Sequence, residues 1–306
     1  MSEFINTIDL LGDDAVTDSI IDRSITEFKD NRIPNIGSGA FLGCTKLKEV
    51  DCPNVTNIER RGFEGCSALT NISMPKTETI GDRAFINCLY LALTSLPSGL
   101  TSIGSQAFYG CANLALTSLP SGLTSIGEES FKRCTNLVSI SLPSSLTNIG
   151  RSAFSDSLNL VSVSLPSGLT SIGDSVFSGC TNLALTSLPS GVTSIGDSAF
   201  YGCTNLALTS LPSGLTSIGN QAFNRCTKLA LTSLPGSLTR IDQNAFYSCT
   251  GLKSLTFEGK PTSIASNAFY GCSNLKTINV PWAEGEVSGA PWSATSATIN
   301  YNYTGG

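Results

Sequence analysis

Large apolar side chains recur along this chain with a period of 22 or 23 residues. Eleven phenylalanines mark the period, and each has an isoleucine five residues before it and a leucine six residues after it. Self-similarity at a fixed period in the twenties is typical of a solenoid, in which every repeat forms one coil and stacks on its neighbours. The phenylalanines are Phe41, Phe63, Phe85, Phe108, Phe131, Phe154, Phe177, Phe200, Phe223, Phe246 and Phe269.

Within one repeat, the order of polar and apolar residues predicts a short strand followed by turns. The stretch 138–142 alternates serines with apolar residues, which is typical of a half-buried strand. Pro143 ends that strand because proline has no N–H to donate to a neighbouring strand. The Gly-x-x-Ala-Phe block, as at 196–200, predicts a tight turn and then one helical or 3-10 turn. Stacked coils would pair their strands into one parallel sheet.

The full repeat carries a recognisable block, Leu-x-x-Ile-x-Leu-Pro-x-x-Leu-x-x-Ile-Gly-x-x-Ala-Phe-x-x-Cys. From residue 36 to about 281 this pattern resembles the leucine-rich repeats of the BspA-like bacterial surface proteins. The resemblance implies a leucine-rich repeat solenoid, here of about eleven coils, with a parallel β-sheet on its concave side and short helical or 3-10 turns on its convex side. It also implies adhesion and binding at cell surfaces rather than catalysis.

We expect three segments along the chain. Residues 1–32 are interpreted as an N-terminal cap, residues 33–280 as the solenoid, and residues 281–306 as a C-terminal cap or attachment strand. Caps are expected because the edges of a parallel sheet leave N–H and C=O groups unpaired. Trp282 and Trp292, with the alternating stretch 299–303, either close the last coil or form an element for attachment or self-association. The first eleven residues have neither a basic start nor an apolar run of signal-peptide length, which argues against an export leader.

Composition and charge exclude several classes of function. The chain has no histidine, so Ser-His and Cys-His nucleophile pairs and histidine-based metal sites are excluded. We therefore predict no catalytic activity, no cofactor and no metal, and we interpret the acids of the turns as solvated surface charge. A net charge of −5 argues against a nucleic-acid partner, which selects for a basic stripe. No apolar run approaches the roughly 18 residues of a membrane span.

A small side chain follows every one of the eleven phenylalanines by three residues, and it is cysteine in all repeats except the one with Ser157. This spacing favours buried free thiols, because the position accepts serine and the chain lacks the Cys-x-x-Cys pairs of a zinc site. Disulfides between some adjacent coils remain an alternative, since equivalent Cα atoms would lie roughly 5 Å apart.

Two surfaces are candidates for binding a partner. In five coils Ala-Leu-Thr-Ser-Leu-Pro replaces the regular strand sequence, and strict alternation would turn the leucine outward on the concave side and the following threonine inward. A local bulge would reverse both directions, and the two alternatives stay open. These leucines are Leu93, Leu116, Leu185, Leu208 and Leu231. The second surface is a row of tyrosines directly after the repeat phenylalanine, interrupted by other residue types, which leaves an incidental origin open: Tyr109, Tyr201, Tyr247 and Tyr270.

Two classes of function follow from this pattern. The first is a binding or adhesion scaffold for a protein or glycan partner, at a cell surface, outside the cell or on a virion. The second is a structural or receptor-binding subunit of a larger assembly, such as a phage tail or surface fibre, whose termini join copies. The family resemblance favours the first class, and the missing leader and elaborate termini favour the second.

Overall fold

A computed structural model describes residues 22–305 of the chain, which divide into two compact units, here called unit 1 (22–153) and unit 2 (154–305). Both units are built of parallel β-solenoid coils, about 12 turns among residues 22–305. Most of the predicted N-terminal cap lies in residues 1–21, outside the described residues. Within residues 22–305, no helix is long and apolar enough to cross a membrane.

Unit 1 has two sets of short strands, and the strands that pair within a set do so in parallel; β9 pairs with no other strand of its set. In the first set β1 pairs with β3 and β3 with β5, while the second set forms a six-stranded sheet with one strand per coil. The first set comprises β1 (Glu27–Lys29), β3 (Glu49–Asp51), β5 (Asn71–Ser73) and β9 (Ser139–Ser141). The second comprises β2 (Asn35–Ile36), β4 (Asn57–Ile58), β6 (Thr79–Ile80), β7 (Ser102–Ile103), β8 (Ser125–Ile126) and β10 (Asn148–Ile149).

Unit 2 repeats this arrangement with a five-stranded and a four-stranded parallel sheet. The N–H of Thr193 donates to the Thr170 carbonyl at 2.8 Å, and the hydroxyl of Thr193 donates to the same oxygen at 3.1 Å. In the same way, the N–H and hydroxyl of Thr216 both donate to the Thr193 carbonyl, and those of Thr239 both donate to the Thr216 carbonyl. The five-stranded sheet comprises β12 (Ser171–Ile172), β13 (Ser194–Ile195), β14 (Ser217–Ile218), β16 (Arg240–Ile241) and β18 (Ser263–Ile264). The other strands are β11 (Ser162–Ser164), β15 (Ser233–Leu234), β17 (Ser254–Phe257), β19 (Thr277–Asn279) and β20 (Thr298–Asn300).

The segment around each repeat phenylalanine is a run of β-turns, and no helix occurs among residues 22–305. Alternate N–H groups leave the coil: Phe41 donates to Gly62 in the next coil at 2.8 Å, whereas Cys44 donates to Phe41 within its own turn at 3.1 Å. In ten of the eleven coils the residues two before and two after the phenylalanine have left-handed backbone, for example Arg61 (φ 60°) and Gly65 (φ 73°). A helix cannot include such residues. The predicted helical or 3-10 turn is therefore not what the described residues form.

The phenylalanine rings form the core of each unit, as the period predicts. Neighbouring rings stack with centroids 4.8–5.5 Å apart in unit 1 and 5.1–5.7 Å apart in unit 2. All eleven rings are fully buried, together with the leucines six residues later. The predicted core is confirmed.

The C-terminal segment places both tryptophans inside the fold. Trp282 and Trp292 are 3% and 0% exposed, and Trp282 meets Phe257 edge to face at 5.3 Å. The indole N–H of Trp292 donates to the Ser288 carbonyl at 2.9 Å. Strand β20 pairs with β19, and a turn follows it. Buried rings suit the interpretation in which this segment closes the last coil.

Candidate functional site

Four of the five leucines of the first predicted surface point into the core. Leu208 is fully buried, Leu93, Leu116 and Leu231 are at most 8% exposed, and Leu185 is half-buried. The threonine that follows each of them is exposed. The outward direction was therefore the wrong one of the two alternatives. Their predicted role in partner binding required exposed side chains, and the structure does not provide that exposure.

A break in the strand alternation explains the inversion. In the coil 91–97 the inward residues include Leu93 and Leu96, so Thr94 and Ser95 both face solvent. Two consecutive outward residues take the backbone out of the two-residue period of a strand. Accordingly, the coils at 92–97 and 207–212 contain no strand where the regular coils have one. These coils present threonine and serine to solvent.

The four tyrosines of the second predicted surface lie in different surroundings. In unit 1, Tyr109 is half-buried, and Lys132 Nζ and Arg133 Cζ lie 5.9 and 5.8 Å from its ring centre. In unit 2, the rings of Tyr247 and Tyr270 stack at 5.2 Å with an angle of 18° between their planes. Tyr270 is 52% exposed. The role of these tyrosines in partner binding stays a prediction.

The cysteines are structural hydrogen-bond donors. The Sγ of Cys203 lies 3.0 Å from the carbonyl oxygen of Phe177 in the preceding coil, and the N–H of Cys180 donates to that same oxygen at 3.0 Å. Nine cysteines make the equivalent thiol-to-carbonyl bond, at 3.0–3.2 Å. All eleven cysteines are buried, and none of them forms a disulfide. Serine also carries a donor of this size, which explains why Ser157 fits the position.

Burial also makes these thiols chemically inert. It raises the pKa of the Cys272 thiol to about 12 and the pKa of the Cys203 thiol well above its usual range. The thiolate is the nucleophile and the metal ligand, so a buried thiol that stays protonated does neither job. Among residues 22–305, no group of three or more His, Cys, Asp or Glu side chains could hold a metal ion.

The acids of the turns have a backbone role that the sequence interpretation missed. Asp174 Oδ1 accepts the N–H of Asp197 at 2.9 Å, and Asp197 Oδ1 accepts the N–H of Asn220 at 2.7 Å. In unit 1, Asp82 does the same for Ser105 at 2.7 Å. Each carboxylate satisfies a backbone donor one coil later. An aspartate directly after the repeat Ile-Gly pair was the available signal.

A second unpredicted feature is a chain of side-chain hydrogen bonds across unit 1. Arg83 Nε donates to Gln106 Oε1 at 2.8 Å, and Gln106 Nε2 donates to Glu129 Oε2 at 2.7 Å. Lys132 Nζ donates to the other Glu129 oxygen at 2.7 Å. The Lys132 ammonium and then the Gln106 amide hold the pKa of the Glu129 carboxyl below its usual value. These charges stabilise contacts between coils.

An open cavity lies beside the first strands of unit 1. Its lining includes Lys29, Asp51 and an ion pair between Arg32 Nη2 and Asp30 Oδ2 at 3.1 Å. Burial alone would raise the pKa of Asp30, but the hydrogen bonds from Arg32 lower it below its usual value. The carboxylate is thus already paired within the protein.

Comparison with known proteins agrees with the repeat pattern. A family model described as "BspA type Leucine rich repeat region (6 copies)" matches residues 21–115, 56–184, 101–230 and 182–288. No curated protein matches the chain.

Two solved structures of bacterial proteins have a similar fold. A leucine-rich repeat protein from Bacteroides ovatus ATCC 8483 is 27% identical with a TM-score of 0.65, over 90% of this chain and 68% of that one. The pneumococcal vaccine antigen PcpA is 23% identical with a TM-score of 0.60, over 87% of this chain and 74% of that one. Both likenesses support the solenoid architecture.

Proposed function

Since the chain belongs to the BspA-type leucine-rich repeat family, we propose that it is a non-catalytic scaffold that binds a protein or glycan partner at a cell surface or outside the cell. Solenoids of repeats offer extended surfaces to partners, and leucine-rich repeat proteins generally bind proteins. The family resemblance supports the surface location.

The observation that carries this proposal is that polar and reactive side chains form hydrogen bonds between coils. The thiols donate to phenylalanine carbonyls, and turn carboxylates such as Asp174 and Asp197 accept backbone N–H groups of the next coil. These groups hold coils together and are not gathered in a cleft. What remains for a partner is the repeated outer surface, where many weak equivalent contacts add up.

Saturable binding by the folded chain tests this function. The purified protein is passed over immobilised extracellular matrix proteins and glycans, and a sample unfolded in urea and then diluted serves as the control. We expect at least one surface to bind the folded sample saturably and the control not at all. Absence of saturable binding across both panels would overturn the proposal.

A second function, a structural subunit of a larger assembly such as a tail or surface fibre, is favoured by strand β20. This strand lies at the edge of its sheet, and its central residue Ile299 is half-buried whereas the equivalent Ile278 is fully buried. A sheet edge invites pairing with another chain. Light scattering over a concentration series tests the idea: the native chain should associate, and the Ile299→Lys variant should stay monomeric.

A further inference from the structure

We propose that unit 2 binds a neutral glycan chain along what we name the tyrosine–amide face. This face is defined by two rows of side chains: Tyr201, Asn224, Tyr247 and Tyr270 in one row, and Gln221, Asn244 and Asn267 in the other. The inference rests on the proposed binding function and specifies the chemistry of the partner.

Backbone hydrogen bonds fix the first row. The N–H of Gly202 donates to the Asn224 carbonyl at 2.8 Å, and the N–H of Arg225 donates to the Tyr247 carbonyl at 2.7 Å. A third bond, from Ser248 to Tyr270, measures 2.8 Å. Each joins the residue two after one repeat phenylalanine to the residue one after the phenylalanine of the next coil, and the buried phenylalanine rings beneath are 5.1–5.5 Å apart. The row therefore advances by one coil per residue on a rigid base.

The amide row runs beside the first row because the two belong to the same turns. The N–H of Tyr247 donates to the Asn244 carbonyl at 3.0 Å, and the N–H of Tyr270 donates to the Asn267 carbonyl at 3.3 Å. The ends of a β-turn lie within about 7 Å of each other. Asn267 Nδ2 also donates to Asn244 Oδ1 at 3.0 Å, so the amides connect along the coils as the stacked rings do.

Polar atoms on this face lack partners within the part of the chain that the structure describes. Asn224 is 6% exposed, and its Oδ1 accepts no hydrogen bond; the same holds for Oδ1 of Asn267. A buried acceptor without a donor is unfavourable and needs an explanation. Asn224 lies between Tyr201 and Tyr247 along the row, and its buried Oδ1 can accept from a sugar hydroxyl once the side chains that cover it move aside.

The chemistry of the face fits a neutral sugar chain. The seven side chains of the face are three tyrosines, three asparagines and one glutamine, with no Asp, Glu, Lys or Arg among them. Tyrosine rings offer flat apolar area for the C–H faces of sugars, and amides both donate to and accept from hydroxyls. The two rows also repeat in one direction, coil after coil. A linear glycan repeats in the same way, whereas the surface of a folded protein partner does not.

Calorimetric titration with cellohexaose and chitohexaose tests the inference, with a hyaluronan hexasaccharide as the charged comparison. The test variant is Tyr247→Ser/Tyr270→Ser, and a second variant is Asn224→Ser. Serine occupies this position in the native coils at Ser155 and Ser178, so the fold should accept it. The matched control is Tyr109→Ser, which removes a tyrosine of the same position from unit 1.

We expect at least one neutral hexasaccharide to bind more tightly than the charged one. The double variant should weaken that binding at least about tenfold, and Asn224→Ser should weaken it without lowering the thermal midpoint, whereas Tyr109→Ser should leave affinity unchanged. The glycan inference is overturned if neither neutral sugar binds at millimolar concentration, or if Tyr109→Ser weakens binding as much as the double variant. Should a protein of the earlier panel bind while both sugars fail, the inference falls and the scaffold function stands; should nothing bind in either assay, both fall.

Discussion

One carbonyl oxygen links the two most regular positions of the repeat. The phenylalanine carbonyl accepts the cysteine N–H of its own turn and the cysteine thiol of the next coil, as Phe177 does with Cys180 and Cys203. Both lone pairs are thereby used within a dry interior. The side chain at this position must therefore be small and must donate a hydrogen bond.

This requirement predicts different outcomes for two small substitutions. Cys203→Ala should lower the free energy of unfolding by about 1–3 kcal/mol, because it leaves one lone pair of a buried carbonyl unused and removes a buried sulfur atom. Cys203→Ser keeps a donor, as Ser157 does natively, and should lose clearly less. Urea denaturation of both variants measures the difference. Equal losses would show that the thiol acts only by filling space.

Left-handed backbone makes a second prediction at this scale. Gly202 has φ 69° and nothing within 4 Å of a built Cβ, so Gly202→Ala should destabilise by about 1–2 kcal/mol through conformational strain alone. Gly214 has equal space and is not among the residues with positive φ, and Gly214→Ala is the matched control. The control should be neutral or slightly stabilising. Thermal unfolding of the two variants would contradict this account if both lost the same stability.

At the scale of the coil, the direction of one residue decides which side chains a partner can meet. Regular coils bury Ile140 and Leu142 two residues apart, whereas the coil at 91–97 buries Leu93 and Leu96 three residues apart. Both patterns place apolar side chains inside, so both coil types gain the stabilisation that comes from hydrophobic burial. The irregular coils at 91–97 and 207–212 have no strand in that segment and keep the core, whereas the irregular coil with Leu231 retains strand β15.

This inversion predicts that Leu208→Ser is severe. Leu208 is fully buried, so loss of its side chain together with burial of a hydroxyl should reduce the free energy of unfolding by about 3–5 kcal/mol. The neighbouring Thr209 is exposed, and Thr209→Ser should change it by less than about 0.5 kcal/mol. Chemical denaturation provides both values. A small loss of stability in Leu208→Ser would instead indicate that this leucine faces solvent.

The same coil shows what the sequence could and could not predict. Period and residue type predicted the stack of coils, the core from Phe41 to Phe269 and the small donor after each phenylalanine. These features were predictable because equivalent positions of stacked coils have the same surroundings and therefore select the same residue types. The direction of Leu93 was not predictable, since regular and irregular coils share the same 23-residue period and both bury large apolar side chains. The turn around Phe63 was misjudged as helical because Arg61 gives no sign of the left-handed backbone that a glycine would signal. The sequence also could not predict that Oδ1 of Asn224 lacks a hydrogen-bond donor, because its surroundings are formed by residues of other coils.

At the scale of the whole molecule, burial of so many thiols makes stability depend on alkaline pH. Burial raises the pKa of nine cysteines, whereas an unfolded thiol ionises near pH 8.5. Above that pH the unfolded state binds fewer protons than the folded state, so the free energy of unfolding falls as pH rises.

We expect full stability below about pH 8 and a steep decline from about pH 8.5 upward. Each thiol contributes up to about 1.4 kcal/mol per pH unit, so the combined effect exceeds the stability of a typical domain within one or two units. Urea denaturation with a reductant between pH 7 and 9.5 measures it. Replacing Cys203 and Cys226 by serine should make the decline shallower. A flat profile would show that these thiols ionise in the folded protein.

The threonine bonds of unit 2 also bear on inheritance. Thr193, Thr216 and Thr239 each bind the coil before with the same two donors and the same acceptor. A gene segment that encodes one whole repeat can therefore be copied or lost without leaving any of these groups mismatched, whereas a shorter insertion would put every later donor out of step. Tandem duplication is structurally silent here, so the number of coils is free to vary between descendants while the two ends stay as they are.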